Sequence, residues 1–439
     1  MTTGGPVARE ATEGRASADF DHHGPAYRAG FPALTGELRP QGAVLWSERH
    51  GGYWVVTGRE ALGEIAKHPE LFSNDRVTEK GYKGVAIPAP EGDRGRGGFL
   101  EMDPPEHMDY RRVLNPFLSP AAVEKWRPMV QELADACLDA VVGTGRIDFV
   151  DDLANVVPAV LTMGLLGLPL EDWIVYCEPA HAMVYTTVDH PDFERTFRLI
   201  LGMVEAISAS VAGAGPAGRR GIIGALLDAR DAGAPLDQDG IEGTLLLVIG
   251  GGFDTTTALT AHALTWLDDA PEERARLLSD PARLDTATEE LVRYVTPAQG
   301  GGRTVTRDCE VVGHRFRAGD RVWMAYGLAN HDPLVFERHD EVVPDRFPNR
   351  HAGFGLGIHR CIGSNLARMT FKTMLTRVLE RVGDYSVDAD GVDRYDDIGT
   401  INGYRHLRAR FRPSDPFGPS LTEVMARWQM RLADPAFWD

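Results

Sequence analysis

The stretch Phe354-Gly355-Leu356-Gly357-Ile358-His359-Arg360-Cys361-Ile362-Gly363 presents one cysteine in a glycine-rich loop, and apolar residues at helical spacing follow it as far as Leu379. This spacing predicts a helix that begins near Cys361. The first turn of a helix has unpaired backbone N–H groups and the positive end of the helix dipole, so it favours an anion such as a thiolate. Iron, zinc, an iron–sulfur cluster or a nucleophilic thiol would each suit such a site.

Composition indicates a folded globular protein. With 439 residues, 43% of them hydrophobic, the chain is long enough for one large unit or about two to three ordinary domains. A formal charge of −18 argues against nucleic acid or an anionic membrane as partner. The four cysteines are widely spaced without a CxxC pair, which favours a reducing, cytoplasmic compartment over a disulfide framework or a structural zinc site.

The ends of the chain and its non-helical parts show distinct patterns. Residues 1–19 have no apolar run and are interpreted as a disordered leader, neither a signal peptide nor a membrane anchor. Residues 43–57 predict a hairpin, and residues 74–100 predict a long irregular loop that is either a binding loop or a plain surface loop. The tail, 413–439, ends in an amphipathic segment that we expect to pack back on the domain; contact with a partner is the alternative.

Helices dominate the rest. We expect them from Asp103 to Phe117, over 119–141 with a kink at Pro128, and at about 151–166, 171–186, 191–212, 221–231, 236–268, 271–279 and 284–296. Short strands are expected around 303–307, 309–317 and 321–326. This order predicts a mainly α protein, an α+β layout with helix in excess.

The longest predicted helix contains Gly250-Gly251-Gly252, followed by Phe253-Asp254-Thr255. Each mid-helix glycine costs on the order of 1 kcal/mol relative to alanine, so their presence asks for a reason. They either let a flat ligand approach the backbone, with Asp254 and Thr255 as an acid and an alcohol beside it, or they mark a close contact between helices.

Charged residues recur near the predicted cysteine helix. Glu290 and Arg293 are neighbours on one helix face, and with Arg346 they form either a buried network behind the cysteine loop or ordinary surface pairs. Further basic groups are His107, Arg111, Arg303 and His359; each alone is a plausible surface residue. Together around one thiolate they suggest a cofactor with carboxylate groups.

These motifs resemble those of the cytochrome P450 monooxygenases. The resemblance rests on Phe354-x-x-Gly357-x-His359-x-Cys361-x-Gly363, Gly251-Gly252-x-Asp254-Thr255-Thr256, Glu290-x-x-Arg293 and His107-x-x-x-Arg111, which occur in the family's order. It covers about residues 20–412 as a single domain and implies a triangular, helix-rich fold with a small sheet region. It also implies haem b between the central helix and the cysteine helix.

The resemblance implies a role for individual residues. Cys361 is similar to the family's axial thiolate, which raises electron density on the iron and favours O–O cleavage. Phe354, Gly363 and Gly251 adjoin the cofactor. His107, Arg111, Arg303 and His359 are similar to the residues that bind the haem carboxylates. Asp254 and Thr255 are similar to the acid–alcohol pair that supplies protons during dioxygen activation, and Glu290, Arg293 and Arg346 are similar to the structural triad.

The substrate side is less defined. The residues expected to line the substrate pocket are Ile87, Leu247, Phe253, Pro297, Gly301 and Ile401. Gly300, Gly301 and Gly302 stand where the family often has bulkier residues, which predicts a roomy pocket, and Val305 replaces a common alanine with an effect on packing only. The resemblance implies a substrate such as a secondary metabolite, terpenoid, polyketide, fatty acid or xenobiotic.

Electrons must come from other proteins, because no flavin or nicotinamide domain follows the predicted haem unit. We expect an iron–sulfur ferredoxin and a ferredoxin reductase that uses NAD(P)H, docking on a basic patch of Arg112, Arg360, Arg368 and Lys372. A solvated basic face is the alternative explanation of that patch. Alternative functions are oxidative coupling on a carrier-bound peptide and a haem sensor without turnover, which has no need of Asp254 and Thr255.

Overall fold

Helices form most of the fold. The computed structural model describes residues 16–90, 92, 95–186, 190–215 and 219–438. The helices are α1 (Pro25–Leu38), α2 (Arg59–Ile65), α3 (Glu106–Leu114), α4 (Pro120–Glu124), α5 (Arg127–Val141), α6 (Val156–Leu166), α7 (Trp173–Met183), α8 (Phe193–Gly213), α9 (Gly221–Asp231), α10 (Gln238–Asp268), α11 (Pro271–Ser279), α12 (Pro281–Val295), α13 (Tyr326–Asn330), α14 (Ser364–Val382) and α15 (Leu421–Ala433). The mainly α prediction is therefore confirmed.

The strands are short and, among the described residues, form four separate sheets of five, three, two and two strands. They are β1 (Val44–Ser47), β2 (Tyr53–Val56), β3 (Phe72–Ser73), β4 (Arg76–Val77), β5 (Tyr82–Lys83), β6 (Arg146–Asp148), β7 (Gly301–Val305), β8 (Cys309–Val311), β9 (His314–Phe316), β10 (Arg321–Met324), β11 (Ser386–Arg394) and β12 (Tyr404–Arg410). The largest sheet has the order β1-β2-β10-β7-β3, in which β10 runs parallel to β2 and antiparallel to β7. The hairpin predicted over 43–57 is confirmed as β1 and β2.

The helix α10 lies at the centre of the fold, as its nearly all-round apolar sequence predicts. It packs against α6, α7, α8, α12 and α14. The carboxylate of Asp237 accepts a hydrogen bond from the N–H of Gly240 at 2.7 Å and so caps its first turn. The helix passes through Gly250–Gly252 without interruption, so the glycines do not break it.

Among the described residues, two helices are long and apolar enough to cross a membrane: α8 and α10. The apolar character of α10 follows from its burial inside the fold. On α8, Met203 and Ile207 are buried, whereas Phe197 and Leu201 are exposed. The helix α8 is thus amphipathic and packs on α7 through its buried face.

The chain before α1 is ordered from residue 16 onward. Ser17 pairs with Trp46 in a parallel bridge, and the N–H of Ala18 donates to the Trp46 carbonyl at 2.9 Å. Asp19 forms an ion pair with Arg49. The predicted disordered leader is therefore wrong for residues 16–19, because these residues extend the edge of the sheet at β1; residues 1–15 lie outside the described residues.

The tail packs on the domain, as expected. Val424, Trp428 and Leu432 of α15 are buried against α5 and α6, and the Trp428 indole N–H donates to Glu132 at 2.8 Å. The helix predicted over 119–141 with a kink at Pro128 is interrupted at residues 125–126 and forms two helices, α4 and α5. Pro128 lies in the first turn of α5, where a proline needs no hydrogen-bond partner for its nitrogen.

Candidate functional site

The cysteine loop is held by its own backbone and by close packing. The N–H of Cys361 donates to the carbonyl of Phe354 at 2.7 Å. Gly357 has a φ of 68°, and a Cβ at this position would lie 2.3 Å from the Ala66 carbonyl oxygen, so only glycine fits there. The Arg368 guanidinium lies 4.3 Å above the Phe354 ring. The loop therefore presents Cys361 in one fixed place before α14.

The environment of the Cys361 sulfur combines accessibility with enclosure. The residue has substantial accessible surface, yet burial raises the pKa of its thiol, opposed by the N–H of Gly363 and by nearby Arg360 and Arg111. Both observations fit a sulfur that faces an internal space. A Cβ at Gly363 would have the Cys361 sulfur as its nearest neighbour, at 3.9 Å, so that position keeps the sulfur uncovered. A metal ion bound to the sulfur would ionise the thiol outright.

Two imidazoles meet beside this loop. The rings of His107, on α3, and His359 lie 4.3 Å apart. No ring nitrogen of either has a hydrogen-bond partner among the described residues, although all four nitrogens are buried. Burial and the charge of Arg111 lower the pKa of His107 to about 4, and burial with Arg303 lowers the pKa of His359 to about 2. Buried polar groups are normally paired, so these rings are set to bind a ligand.

The two arginines predicted to bind cofactor carboxylates, Arg111 and Arg303, also lie beside the cysteine loop. Arg111 donates to the Arg360 carbonyl at 2.9 Å, next to Cys361. Arg303, on β7, is buried and shares a small cavity with His359. The structure thus brings together the four predicted cationic or imidazole side chains, and they suit the carboxylates of an anionic cofactor.

Behind the loop, the predicted triad is formed. Glu290 accepts two hydrogen bonds from Arg293, both at 2.8 Å, and one from Arg346 at 2.9 Å. Arg293 also donates to the carbonyls of Asn330 and His339, each at 2.8 Å. Because both Glu290 and Arg293 are fully buried, surface pairing is excluded and the network joins α12 to the chain that leads into the cysteine loop.

On α10, Gly251 and Thr255 share an open face. A Cβ at Gly250 or Gly251 would meet no atom outside its own helix within 4 Å among the described residues. The Thr255 hydroxyl donates to the Gly251 carbonyl at 3.0 Å and remains accessible. A flat ligand can therefore approach the helix at Gly250 and Gly251, and of the two explanations for these glycines the structure supports this one. Gly252 is the exception, since its Cβ would lie 2.9 Å from the Thr162 hydroxyl.

Asp254, one helical turn after Gly250, is buried in a polar contact that the sequence did not indicate. Its Oδ1 accepts a hydrogen bond from the Tyr395 hydroxyl at 2.8 Å and lies 2.6 Å from Nδ1 of His181. Its Oδ2 is buried without a hydrogen-bond partner among the described residues. Burial and the Asp254 charge hold the pKa of Tyr395 well above its usual value, so this hydroxyl keeps its proton and donates. His181 lies on α7 and Tyr395 follows β11, so no local motif could have linked them.

The residues predicted to line the substrate pocket lie in different surroundings. Ile87 and Ile401 lie in one apolar cluster with Ala258, which is on α10 one turn beyond Asp254. Leu247 precedes Gly251 by four residues and so shares its open face. Pro297 is buried, and its carbonyl accepts a hydrogen bond from the N–H of Asn402.

Phe253 was predicted wrongly as a pocket residue. It lies two residues after Gly251, about 200° around the helix, and is fully buried in the main core.

The glycines before Arg303 do not make a roomy pocket. A Cβ at Gly300 would lie 2.5 Å from the Trp323 ring, and one at Gly302 would lie 2.7 Å from Arg321 and 2.9 Å from the Val85 carbonyl. Close packing requires these two glycines, so the prediction of a roomy pocket is wrong at Gly300 and Gly302. Gly301 alone has room, with its nearest neighbour at 3.5 Å.

The predicted basic patch is smaller than expected. Arg368 forms an ion pair with Glu289 at 2.6 Å, and Lys372 forms one with Asp285 at 2.6 Å. Arg112 is exposed, although it pairs with Asp109, and Arg360 is exposed beside the cysteine. Val305 is buried in the core, consistent with a role in packing.

The fold and this site together define a helix-rich haem-thiolate protein. The donor set fits haem. It comprises an accessible cysteine sulfur, an open glycine face on the central helix, and two guanidiniums beside buried imidazoles that have no hydrogen-bond partner within the described part of the chain.

Comparison with known proteins agrees with the assignment to the haem-thiolate proteins. The profile of the cytochrome P450 family matches residues 282–390. The chain is 30% identical to the vitamin D3 dihydroxylase of Streptomyces griseolus over 331 residues, covering 75% of this chain and 80% of that protein. It is 30% identical to linalool 8-monooxygenase of Pseudomonas putida, covering 78% and 87% of the two chains. The solved structure of a myxobacterial cytochrome P450 in complex with myristic acid superposes with a TM-score of 0.80 at 28% identity, covering 89% of this chain and 98% of that one.

The chain belongs to the cytochrome P450 family. It is a haem monooxygenase whose cofactor has a cysteine thiolate as axial ligand.

Proposed function

We propose that this cytochrome P450 inserts one oxygen atom from dioxygen into an apolar or amphipathic small molecule, with Cys361 as the iron ligand and electrons from a separate ferredoxin. The observation that carries the proposal is the sulfur of Cys361, which is accessible in an enclosed loop. It lies beside the rings of His107 and His359, which have no hydrogen-bond partner in the ranges that the structure describes. Bound haem supplies the oxygen activation, and thiolate ligation favours it. Of the other cysteines, Cys137 and Cys177 are buried in the apolar core.

The residues around the cofactor divide the remaining work. We assign Arg111, Arg303, His107 and His359 to its carboxylates, where the anions would supply the partners that the imidazoles lack. Phe354 and Gly363 shape the surroundings of the sulfur, and Gly251 would leave room for the cofactor beside α10. The triad Glu290, Arg293 and Arg346 holds the loop that carries the ligand.

Protons would reach the site through Asp254 and Thr255. The carboxylate of Asp254 is held by Tyr395 and His181, and the His181 side chain is 12% exposed, so that it can exchange protons with solvent. In the proposed route His181 gives a proton to Oδ1 of Asp254, and Asp254 with the Thr255 hydroxyl delivers protons toward the reacting oxygen. A haem sensor would need no such relay.

The substrate side favours an apolar molecule. Ile87 and Ile401 come together beside Ala258, one turn from Asp254, and Leu247 adds a further apolar side chain on the open face of α10. The related proteins are named for vitamin D3 and linalool, and the myxobacterial structure holds myristic acid. We therefore propose a terpenoid, sterol-like or fatty-acid substrate.

Electron transfer would occur on the side of the cysteine loop, in the cytoplasm. Arg360, next to Cys361, and Arg112, next to Arg111, are both exposed, and both suit an acidic iron–sulfur ferredoxin supplied by a ferredoxin reductase and NAD(P)H. The strongly acidic chain makes such a cationic spot distinctive, because the field elsewhere repels an acidic partner.

The first experiment is spectroscopic. The reduced carbonyl complex of the wild type should show the red-shifted band of a thiolate-ligated haem, and Cys361→Ser should lose it. Cys309→Ser is the matched control, since Cys309 is a half-buried cysteine on the β8–β9 hairpin, outside the cysteine loop, and it should keep the band. Retention of the band by Cys361→Ser would refute the role of Cys361.

The second experiment addresses the substrate. Members of a terpenoid, sterol and fatty-acid library that shift the haem absorption band are tested for reductant-dependent oxygen uptake and for a product that gains one oxygen atom. Ligand binding without oxygen uptake would instead indicate a sensor.

A further inference from the structure

A short segment of the loop that contains Ile87 is fixed through its backbone oxygens. Arg321 donates to the carbonyls of Gly84 at 2.8 Å and Ala86 at 2.9 Å. The N–H of Gly302 donates to the carbonyl of Val85 at 2.6 Å. Each carbonyl from residue 84 to residue 87 thus has a donor on another part of the fold, and the donors for Ile87 are two histidines.

Two imidazoles converge on the Ile87 carbonyl. Nε2 of His22 lies 2.8 Å from this oxygen and Nε2 of His23 lies 3.0 Å from it. The two rings are 4.1 Å apart, and His22 also stacks on Trp323 at 4.1 Å. A carbonyl oxygen has two lone pairs and can accept both bonds. The segment before α1 is thereby attached to the loop more than sixty residues later in the chain.

His22 can make its two contacts as a neutral ring. The Ile87 carbonyl can only accept, so the ring proton belongs on Nε2, which faces it. The Nδ1 of His22 then accepts, at 3.1 Å from the Tyr53 hydroxyl, which also lies 3.2 Å from the Phe20 carbonyl. Burial, with the neighbouring His23 and His50, lowers the pKa of His22 to about 3. This ring therefore stays neutral, and its bond to Ile87 does not change across the physiological range.

His23 lies between two acceptors. Its Nε2 faces the Ile87 carbonyl, and its Nδ1 lies 2.7 Å from Oδ2 of Asp397. Neither a carbonyl nor a carboxylate can donate, so both bonds exist together only when both ring nitrogens carry protons. The neutral ring has one proton and must give up one of the two bonds.

The charges around His23 favour the protonated ring. Asp397 faces it from the chain after β11, Asp21 and His22 lie on its own segment, and His50 faces it from the β1–β2 turn, where it pairs with Asp21 at 2.8 Å. Burial alone would lower the pKa of His23, but the hydrogen bond and charge of Asp397 outweigh burial and the pKa is raised.

We propose that His22 and His23 form a clamp that positions Ile87 at the substrate chamber, and that loss of a proton from His23 loosens this clamp. The assignment of Ile87 to the chamber rests on the proposed function; the clamp itself does not. Asp397 is the second anchor: its Oδ1 accepts from the N–H of Gly399 at 2.7 Å, two residues before Ile401. The protonated His23 ring therefore holds both the loop that contains Ile87 and the loop that contains Ile401.

The direction of the pH dependence follows from the raised pKa. A group with a folded-state pKa above its ordinary value contributes its stabilisation fully below about 6.5 and loses it as the pH rises through the folded value. The segment 84–87 should therefore be tightest in mildly acidic solution and should loosen on the alkaline side.

Hydrogen–deuterium exchange of the ferric holoenzyme tests the clamp. After correction for the intrinsic pH dependence of exchange, the peptide covering 84–88 should exchange about tenfold faster above the His23 transition than below it, as expected for loss of one charge-assisted bond. His23→Gln should remove this step and Asp397→Asn should move it to lower pH. The matched control is His50→Gln, which lies in the same cluster but has no bond to Ile87, and it should keep the wild-type step.

A wild-type pH profile in His23→Gln, or an unmoved midpoint in Asp397→Asn, would overturn the proposal. If a variant fails to fold, a carbon-13 NMR titration of the wild-type histidines decides the matter, since a His23 midpoint at or below about 6.5 contradicts the bridging imidazolium. Neither readout requires turnover, so the clamp can fail while the thiolate spectrum stands, and the reverse.

Discussion

Glu290→Gln is expected to cause a large loss of stability, although it changes a single oxygen to an NH₂ group. The carboxylate of Glu290 accepts bonds from Arg293 at 2.8 Å twice, Arg346 at 2.9 Å, the N–H of Val343 at 2.8 Å and Asn349 at 3.0 Å. Both Glu290 and Arg293 are fully buried. The amide removes the countercharge and turns a donor toward these donors.

The magnitude follows from that burial. Removing one partner of a buried ion pair costs about 3–5 kcal/mol, because the remaining charge is left unpaired in a low-dielectric interior. Since whole domains are stable by about 5–15 kcal/mol, this is a large fraction of the total. The cysteine loop depends on the same network, so haem retention should fall together with stability.

Urea unfolding followed by far-ultraviolet circular dichroism measures the loss, and the reduced carbonyl spectrum measures retention of the thiolate-ligated haem. Glu341→Gln is the matched control: its side chain is 56% exposed and pairs with Arg338, so it should lose at most about 1 kcal/mol. If Glu290→Gln loses no more than Glu341→Gln, the buried network does not support the loop in the way argued.

Three further outcomes are expected. Burial opposes ionisation of Glu289, but Arg368 and His351 outweigh burial and lower the pKa of Glu289 from 4.5 to about 2. The ionised Glu289 should therefore stabilise the fold above pH 4.5, and this stabilisation should be lost as the pH falls toward 2. In acid unfolding, Glu289→Gln should lack this pH-dependent part of the unfolding free energy, on the order of 1–3 kcal/mol. Tyr395→Phe removes one of two donors to Asp254 and should lower product formed per oxygen consumed, up to about tenfold, with an unchanged carbonyl spectrum; unchanged coupling would contradict the relay. Trp428→Ala should cost about 3–5 kcal/mol of unfolding free energy, because this buried tryptophan attaches the tail to α5; a loss under about 1 kcal/mol would show that the tail is dispensable.

Local patterns were sufficient for much of the helical framework. The predicted ranges 221–231 and 271–279 coincide with α9 and α11, because each has clear punctuation at both ends of its apolar periodicity. The strands β11 and β12 were not predicted. The strand β11 pairs with β12, and β12 also pairs with β6, which lies far away in sequence. In addition, β11 carries polar residues at most positions. The helix α1 was also missed, since Pro32 and Gly30 interrupt its pattern.

By itself, the sequence indicated the cysteine loop, the three glycines of the central helix and the pairs Glu290–Arg293 and His107–Arg111, because each is carried by residue types at fixed local spacing. The tertiary structure decided that the triad with Arg346 is buried and that Gly250 and Gly251 lie on an open face. Only the tertiary structure decided which way those residues face. It turned Phe253 into the core and gave Asp254 its partners His181 and Tyr395. It also attached His22 and His23 to the Ile87 carbonyl. These contacts join segments remote in sequence, and the direction of a side chain at such a contact depends on packing that no local pattern encodes.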